Sequence, residues 1–111
     1  MPSSDAATVD VSIVVPVRNE AENIGPLIAE IAAALDGRWK HEIIYVNDGS
    51  TDATAERLAA IMKQRENLRQ IRHATSSGQS AAVRSGVRAA RGAIVATLDG
   101  DGQTIRHSCR I

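Results

Sequence analysis

The chain has 111 residues and 43% hydrophobic content, enough for one small domain and too little for two. Thirteen basic residues balance thirteen acidic ones, so no net field draws the chain to nucleic acid or an anionic membrane, and 2% aromatic content gives no base-stacking platform. The single cysteine, Cys109, excludes an internal disulfide and a zinc-type ligand set.

Residues 1–10 are expected to form a flexible N-terminal arm. They lack the basic and apolar regions of a signal peptide, and no apolar run approaches the roughly 20 residues of a membrane-spanning helix, so a cytoplasmic protein with no membrane span is expected. The segment Val11-Ser-Ile-Val-Val-Pro-Val17 is nearly all β-branched and too short for a helix, which predicts a strand buried on both faces and ending near Pro16. Apolar residues then recur at Ile24, Leu27, Ile28, Ile31 and Leu35 with helical spacing. Pro26 is expected in the first turn, so this helix should begin near Asn23, and Gly37 should stop it.

Glu42-Ile-Ile-Tyr-Val46 repeats the buried-strand pattern, and Asn47-Asp-Gly-Ser-Thr-Asp52 breaks it with turn formers and helix-capping residues. A second helix should follow with Ala55, Leu58, Ala59 and Met62 on its inner side. A weaker strand over Leu68 to Arg72 and a polar loop, Ala74 to Gln79, precede a third helix with Ala82, Val83, Gly86, Val87 and Ala90 turned inward. Gly92 closes that helix, and Ala93 to Leu98 form the last strand, running directly into Asp99-Gly-Asp-Gly-Gln103. His73 has no partner at a recognisable spacing and is expected in a loop.

Strands alternating with helices predict an α/β fold, a Rossmann-like parallel sheet with helices on both faces. Ligands of such sheets bind outside the carboxyl ends of the strands, where the strand order reverses. Polar residues gather at those ends: Arg18, Asn19 and Glu20 after the first strand, Asp48 after the second, Asp99 and Asp101 after the fourth. No glycine fingerprint for a dinucleotide follows the first strand, and no Gly-Lys-Ser phosphate loop is present. A diphosphate ligand would then need a cation, and two carboxylates two residues apart on an extended strand end can hold a hard one.

These segments resemble a known family. Val15-Pro-Val-Arg-Asn-Glu20, Val46-Asn-Asp-Gly-Ser-Thr-Asp52, Gly78 to Gly86 and Leu98-Asp-Gly-Asp-Gly-Gln103 look like the ordered motif set of glycosyltransferase family 2, of the dolichol-phosphate mannosyltransferase type. The resemblance covers Val11 to Gln103 and implies residues 11–103 as a nucleotide-sugar-binding domain, the N-terminal half of a GT-A fold. It implies transfer of a sugar, with inversion, from a UDP- or GDP-linked donor to an acceptor such as a lipid phosphate, with Mg or Mn as cofactor and the parent protein at the cytoplasmic membrane face. Pro16, Arg18, Glu20, Asp48, Gly78, Gln79 and Asp99 would bind the nucleotide sugar: Glu20 near base or ribose, Asp48 on a ring N–H, Gly78 and Gln79 beside ribose and diphosphate. Asp99, Asp101 and Gln103 would hold the metal.

The pattern changes after Gln103, where residues 104–111, Thr104-Ile-Arg-His-Ser-Cys-Arg-Ile111, replace the expected Asn-Asp-Pro type continuation. This tail is compatible with codons that, shifted by one base, read Asn-Asp-Pro-Ala-Phe-Leu-Pro, so a single-nucleotide frameshift is expected, with a tail unrelated to the fold. On that reading the acceptor half and the general base lie outside this fragment, no catalytic residue is assigned within it, the fragment is inactive alone, and the fourth strand has a bare apolar edge. The competing readings are a non-catalytic nucleotide-binding remnant, separable by metal-dependent binding of UDP or GDP, and a nucleotidyltransferase, which the missing glycine- and lysine-rich loop disfavours.

Overall fold

A computed structural model describes residues 9–98 and, for the backbone, 105–107. Strands β1 (Val11–Val17), β2 (His41–Asp48), β3 (Leu68–His73), β4 (Ile94–Leu98) and β5 (Ile105–His107) alternate with helices α1 (Ala21–Leu35), α2 (Thr54–Met62) and α3 (Gln79–Ala89) up to β4. They form one sheet in the order β3-β2-β1-β4-β5. The first four strands are parallel, as the alternation predicts, and β5 runs antiparallel to β4.

The two central strands are buried along their whole length, which is why β1 and β2 read as continuous apolar runs. Alternate residues serve two cores. Val11, Ile13, Val15 and Val17 of β1, with Ile43 and Tyr45 of β2, pack under Ile24, Leu27, Ile28 and Ile31 of α1 and Leu58 of α2. On the opposite face Val14, Ile44, Val46 and Val95 pack with Ala82 of α3. Each fully buried Val, Ile or Leu contributes about 1.5–3 kcal/mol, so the central strands dominate the stability. The chain moves outward through α1 and α2 to β2 and β3, then returns across the other face through α3 to β4. The strand order therefore reverses between β1 and β4, and the crevice of an open α/β sheet opens at their carboxyl ends.

Several expectations need correction. Helix α1 begins at Ala21, two residues before the expected Asn23, so Pro26 lies inside it rather than in its first turn. The reason is non-local: side chains of the following loop cap its first turn, with Thr54 Oγ1 accepting from the Glu20 amide (3.1 Å) and Asp52 Oδ2 from the Ala21 amide (3.4 Å). Gly37, at φ 79°, terminates the helix as expected, and the Arg38 and Trp39 amides bond back to the Leu35 carbonyl. Ala59 and Val87, both expected on inner helix faces, are exposed. Each sits at the margin of a narrow apolar stripe whose centre is Leu58 in α2 and Ala82 and Gly86 in α3. The ordered domain includes Asp10: its amide donates to the Lys40 carbonyl at 2.7 Å and its carbonyl accepts from Ile94 at 3.1 Å.

The outer edge of β4 is not bare. Ala96, Thr97 and Leu98 pair with His107, Arg106 and Ile105, so backbone hydrogen bonding extends to three residues of the tail expected to be unrelated to the fold. The other edge, β3, carries Arg69, Gln70 and Arg72, polar side chains that discourage edge-to-edge association.

A buried polar cluster holds the amino ends of these strands. The Ser12 hydroxyl donates to Glu42 Oε2 at 2.6 Å and accepts from the Gly92 amide at 2.8 Å, while Glu42 also accepts from the Arg91 amide at 2.7 Å and from Arg69 at 2.8 Å. Arg69 also donates to the Ala89 carbonyl at 2.7 Å, so the cluster fixes where the chain leaves α3 and enters β4.

Candidate functional site

The opposite, carboxyl end of the sheet is built from three interlocked loops. After β1, Asn19 adopts the left-handed conformation at φ 57°, uncommon for a residue other than glycine. Its amide donates to Ser50 Oγ at 2.9 Å, and its side-chain oxygen accepts from the Thr51 amide at 2.8 Å, the Asp52 amide at 3.3 Å and the Thr51 hydroxyl at 3.3 Å. Asp52 in turn accepts from the Thr54 amide at 2.9 Å and from the Thr54 hydroxyl, capping α2. These bonds hold the Asp52 carboxyl below its usual range, the Thr54 hydroxyl being the largest influence. The Asn-Asp-Gly-Ser-Thr-Asp segment thus does act as a turn and cap, and it caps two helices rather than one.

The loop after β2 closes onto the loop after β3. Gly49, at φ 72°, approaches so closely that an added Cβ would lie 2.6 Å from the Ser76 amide nitrogen, so only glycine fits. Beside it Asp48, 4% exposed, collects four donors. Oδ1 receives His73 Nδ1 and the Ser77 amide, each at 2.8 Å; Oδ2 receives the Gly78 amide at 2.9 Å and the Ser76 hydroxyl at 3.0 Å. Burial alone would raise the Asp48 pKa, but the bonds from Ser77, His73, Gly78 and Ser76 outweigh it and lower it from 3.8 to about 2. The carboxylate is the hub of the 74–78 loop. Its stabilising contribution is complete above pH 3.8 and lost as the pH falls toward about 2. Followed by NMR, the Gly78 amide resonance is expected to inflect near pH 2; an inflection at 3.8 would show that the four bonds do not act on Asp48 in solution.

The remaining predicted residues are placed as follows. Arg18 is exposed and has no ion pair among the described residues, leaving a free cation beside the crevice. Glu20 is half-buried, with Oε1 accepting from Asn23 Nδ2 at 2.7 Å. Pro16 is buried within β1 opposite Val46. Gly78, at φ 99°, directly precedes α3, and Gln79 is that helix's exposed first residue. Asp99, Asp101 and Gln103 lie outside the described residues; the flanking Leu98 and Ile105 are paired partners, and Leu98 ends β4 in the strand adjoining β1.

His73 was missed. It is the last residue of β3 rather than part of a loop, and it bonds Asp48 through Nδ1 and Ser85 Oγ through Nε2 at 2.9 Å. Its partners lie 25 residues before it and 12 after it, so no local spacing signals the contact. Among the described residues no cluster of three or more His, Cys, Asp or Glu side chains is arranged to hold a metal, and no helix is long and apolar enough to cross a membrane.

Comparison with known proteins agrees with this architecture. The model of glycosyl transferase family 2 matches residues 12–109. Dodecaprenyl-phosphate galacturonate synthase of Rhizobium johnstonii is 40% identical over 98 residues, covering 85% of this chain and 28% of the relative. Undecaprenyl-phosphate 4-deoxy-4-formamido-L-arabinose transferase of Pseudomonas fluorescens is 39% identical over 93 residues, 82% of this chain and 27% of the relative. Among solved structures, the mannosyltransferase PcManGT from Pyrobaculum calidifontis, in complex with GDP-Man and Mn2+, superposes with a TM-score of 0.76 at 27% identity, covering 85% of this chain and 28% of that one. TarS 1-349 of S. aureus in complex with UDP-GlcNAc gives 0.74 at 26% identity, covering 83% of this chain and 26% of that one.

The parallel sheet, its two helical layers and the family match define the sheet of a GT-A glycosyltransferase. The chain belongs to glycosyltransferase family 2. It spans under a third of the length of the curated relatives it matches.

Proposed function

We propose that this chain forms the donor side of a glycosyltransferase, binding a UDP- or GDP-linked sugar at the carboxyl ends of β1, β2 and β4, and that the whole protein transfers the sugar to a polyprenyl phosphate with inversion. The observation that carries the reading is the convergence of Arg18, Asp48 and the 74–78 loop at the edge where the strand order reverses. The names of the relatives support a polyprenyl-phosphate acceptor, and the solved neighbours support a nucleotide-linked donor.

In this reading Asp48 accepts a ring N–H of the base, as uracil and guanine both provide. Arg18, exposed and unpaired among the described residues, offers its charge to the diphosphate. Gly78 and Gln79 wall the ribose side, and Glu20, tied to Asn23, borders the base or ribose. Pro16 contributes from within β1, keeping the strand end in place. Asp99, Asp101 and Gln103 follow the strand adjoining β1, and two carboxylates with an amide oxygen suit Mg or Mn. When bound, that ion supplies Lewis-acid stabilisation of the departing nucleoside diphosphate. An acceptor oxygen forms the new bond at the anomeric carbon as the bond to the diphosphate breaks, and no general base for that step is assigned to this chain.

Calorimetry of the 111-residue chain with UDP and GDP, each with and without Mn, tests the reading. Metal-dependent binding that falls at least about tenfold in Asp101→Ala is expected. Absence of binding at millimolar nucleotide, or binding indifferent to both Mn and Asp101, sinks it.

A further inference from the structure

The Asp48 carboxylate already holds four donors, which fills the roughly four acceptor positions such a group offers. A nucleobase N–H must therefore take the place of one of them. The donors differ in how readily they leave. The Ser77 and Gly78 amides are fixed by the backbone of a loop that Gly49 packs against, and His73 is anchored in β3 and fastened to α3 through Ser85. Ser76 is exposed and offers only a rotatable hydroxyl on Oδ2, which can turn to water at little cost.

We propose that His73 is a positioning residue of the donor site: clamped between Asp48 and Ser85, it fixes Oδ1 and the carboxylate plane so that Oδ2, released by the Ser76 hydroxyl, faces the base. The inference rests on the donor-site reading above and names which contacts of that site stay and which one yields. Its chemistry follows from the partners. An ionised carboxylate only accepts, so the ring hydrogen sits on Nδ1 and donates to Asp48; in the neutral ring Nε2 is then an acceptor for the Ser85 hydroxyl. The imidazole is held at both nitrogens, and its 17% side-chain exposure leaves it little freedom to rotate. Without it, Asp48 keeps its bonds to the 76–78 segment and loses the one that refers its orientation to β3.

Nucleotide titrations of variants of the 111-residue chain test this. His73→Ala is expected to weaken UDP or GDP binding by about tenfold or more, the scale of one hydrogen bond to a charged group. His73→Asn, whose amide nitrogen can take the Nδ1 place, should recover binding to within about threefold of the parent. Ser76→Ala should bind as well as the parent or better, because it removes the donor that competes with the base. Equal binding by His73→Ala, no recovery by His73→Asn, or a loss in Ser76→Ala comparable to that in His73→Ala would overturn the inference. Imidazole 15N shifts of the unsubstituted chain give a second test that does not depend on any variant folding: a hydrogen on Nδ1 is expected, and a ring protonated only at Nε2 excludes the proposed role. If the parent chain binds neither nucleotide, the donor-site reading itself fails and this inference falls with it; if the parent binds and His73→Ala binds equally, only this inference is lost.

Discussion

Glu42→Ala is expected to lose about 3–5 kcal/mol of folding stability, the scale for removing one partner of a buried charge pair. The side chain is 5% exposed and paired to Arg69, and its removal leaves the Ser12 hydroxyl and the Arg91 amide short of an acceptor and takes the counter-charge from the part-exposed Arg69 guanidinium. A domain of this size has about 5–15 kcal/mol in total, so the loss is a large fraction of it and should lower the unfolding midpoint markedly. Urea unfolding measures the loss; a change below about 1 kcal/mol would show that the cluster contributes little. The same carboxylate adds acid sensitivity. Burial raises its pKa, but Ser12, the Arg91 amide and Arg69 together hold it below 4.5. Its contribution is therefore complete above pH 4.5 and declines below it, in the direction found for Asp48 at the other end of the same strand.

Gly86→Val should destabilise the chain by about 3 kcal/mol or more, and Gly86→Ala in the same direction by less. Helix propensity alone predicts the opposite for alanine, a gain of about 1 kcal/mol over glycine within α3. Packing decides the sign. A Cβ at this position would overlap Val14 Cγ1 and lie 3.1 Å from Val46 Cγ2, and both valines are fully buried in the central strands. Neither can yield without moving β1 or β2, so α3 would have to lift off the sheet. Thermal melts of the two variants decide it: a higher midpoint for Gly86→Ala would mean that α3 sits farther from the sheet than described.

What the sequence made legible follows the range of the interactions. The β1 strand was readable to within one residue, running through Pro16 to Val17, because its burial is a property of the segment itself. The β2 strand runs farther than Glu42–Val46, to His41 and Asp48, because pairing with β1 and β3 continues over polar residues that local pattern reads as turn. The early start of α1 was hidden for a similar reason: its capping groups are more than thirty positions away. At the site, the strand-end polar residues were evident from their position after apolar runs. The division of labour was not, since Asp48 is organised by His73, Ser76, Ser77 and Gly78, contacts that exist only once the end of β2 meets the end of β3 and the loop that follows it.

Asn19 carries a last consequence. One side chain gathers Thr51 and Asp52 while its own amide holds Ser50, so the rims of β1 and β2 are already ordered relative to each other. A small molecule bound at that rim, as proposed above, would then sacrifice little chain entropy, and more of the contact energy would be retained as affinity. The departure of one asparagine into left-handed backbone geometry is thus settled during folding, ahead of any encounter.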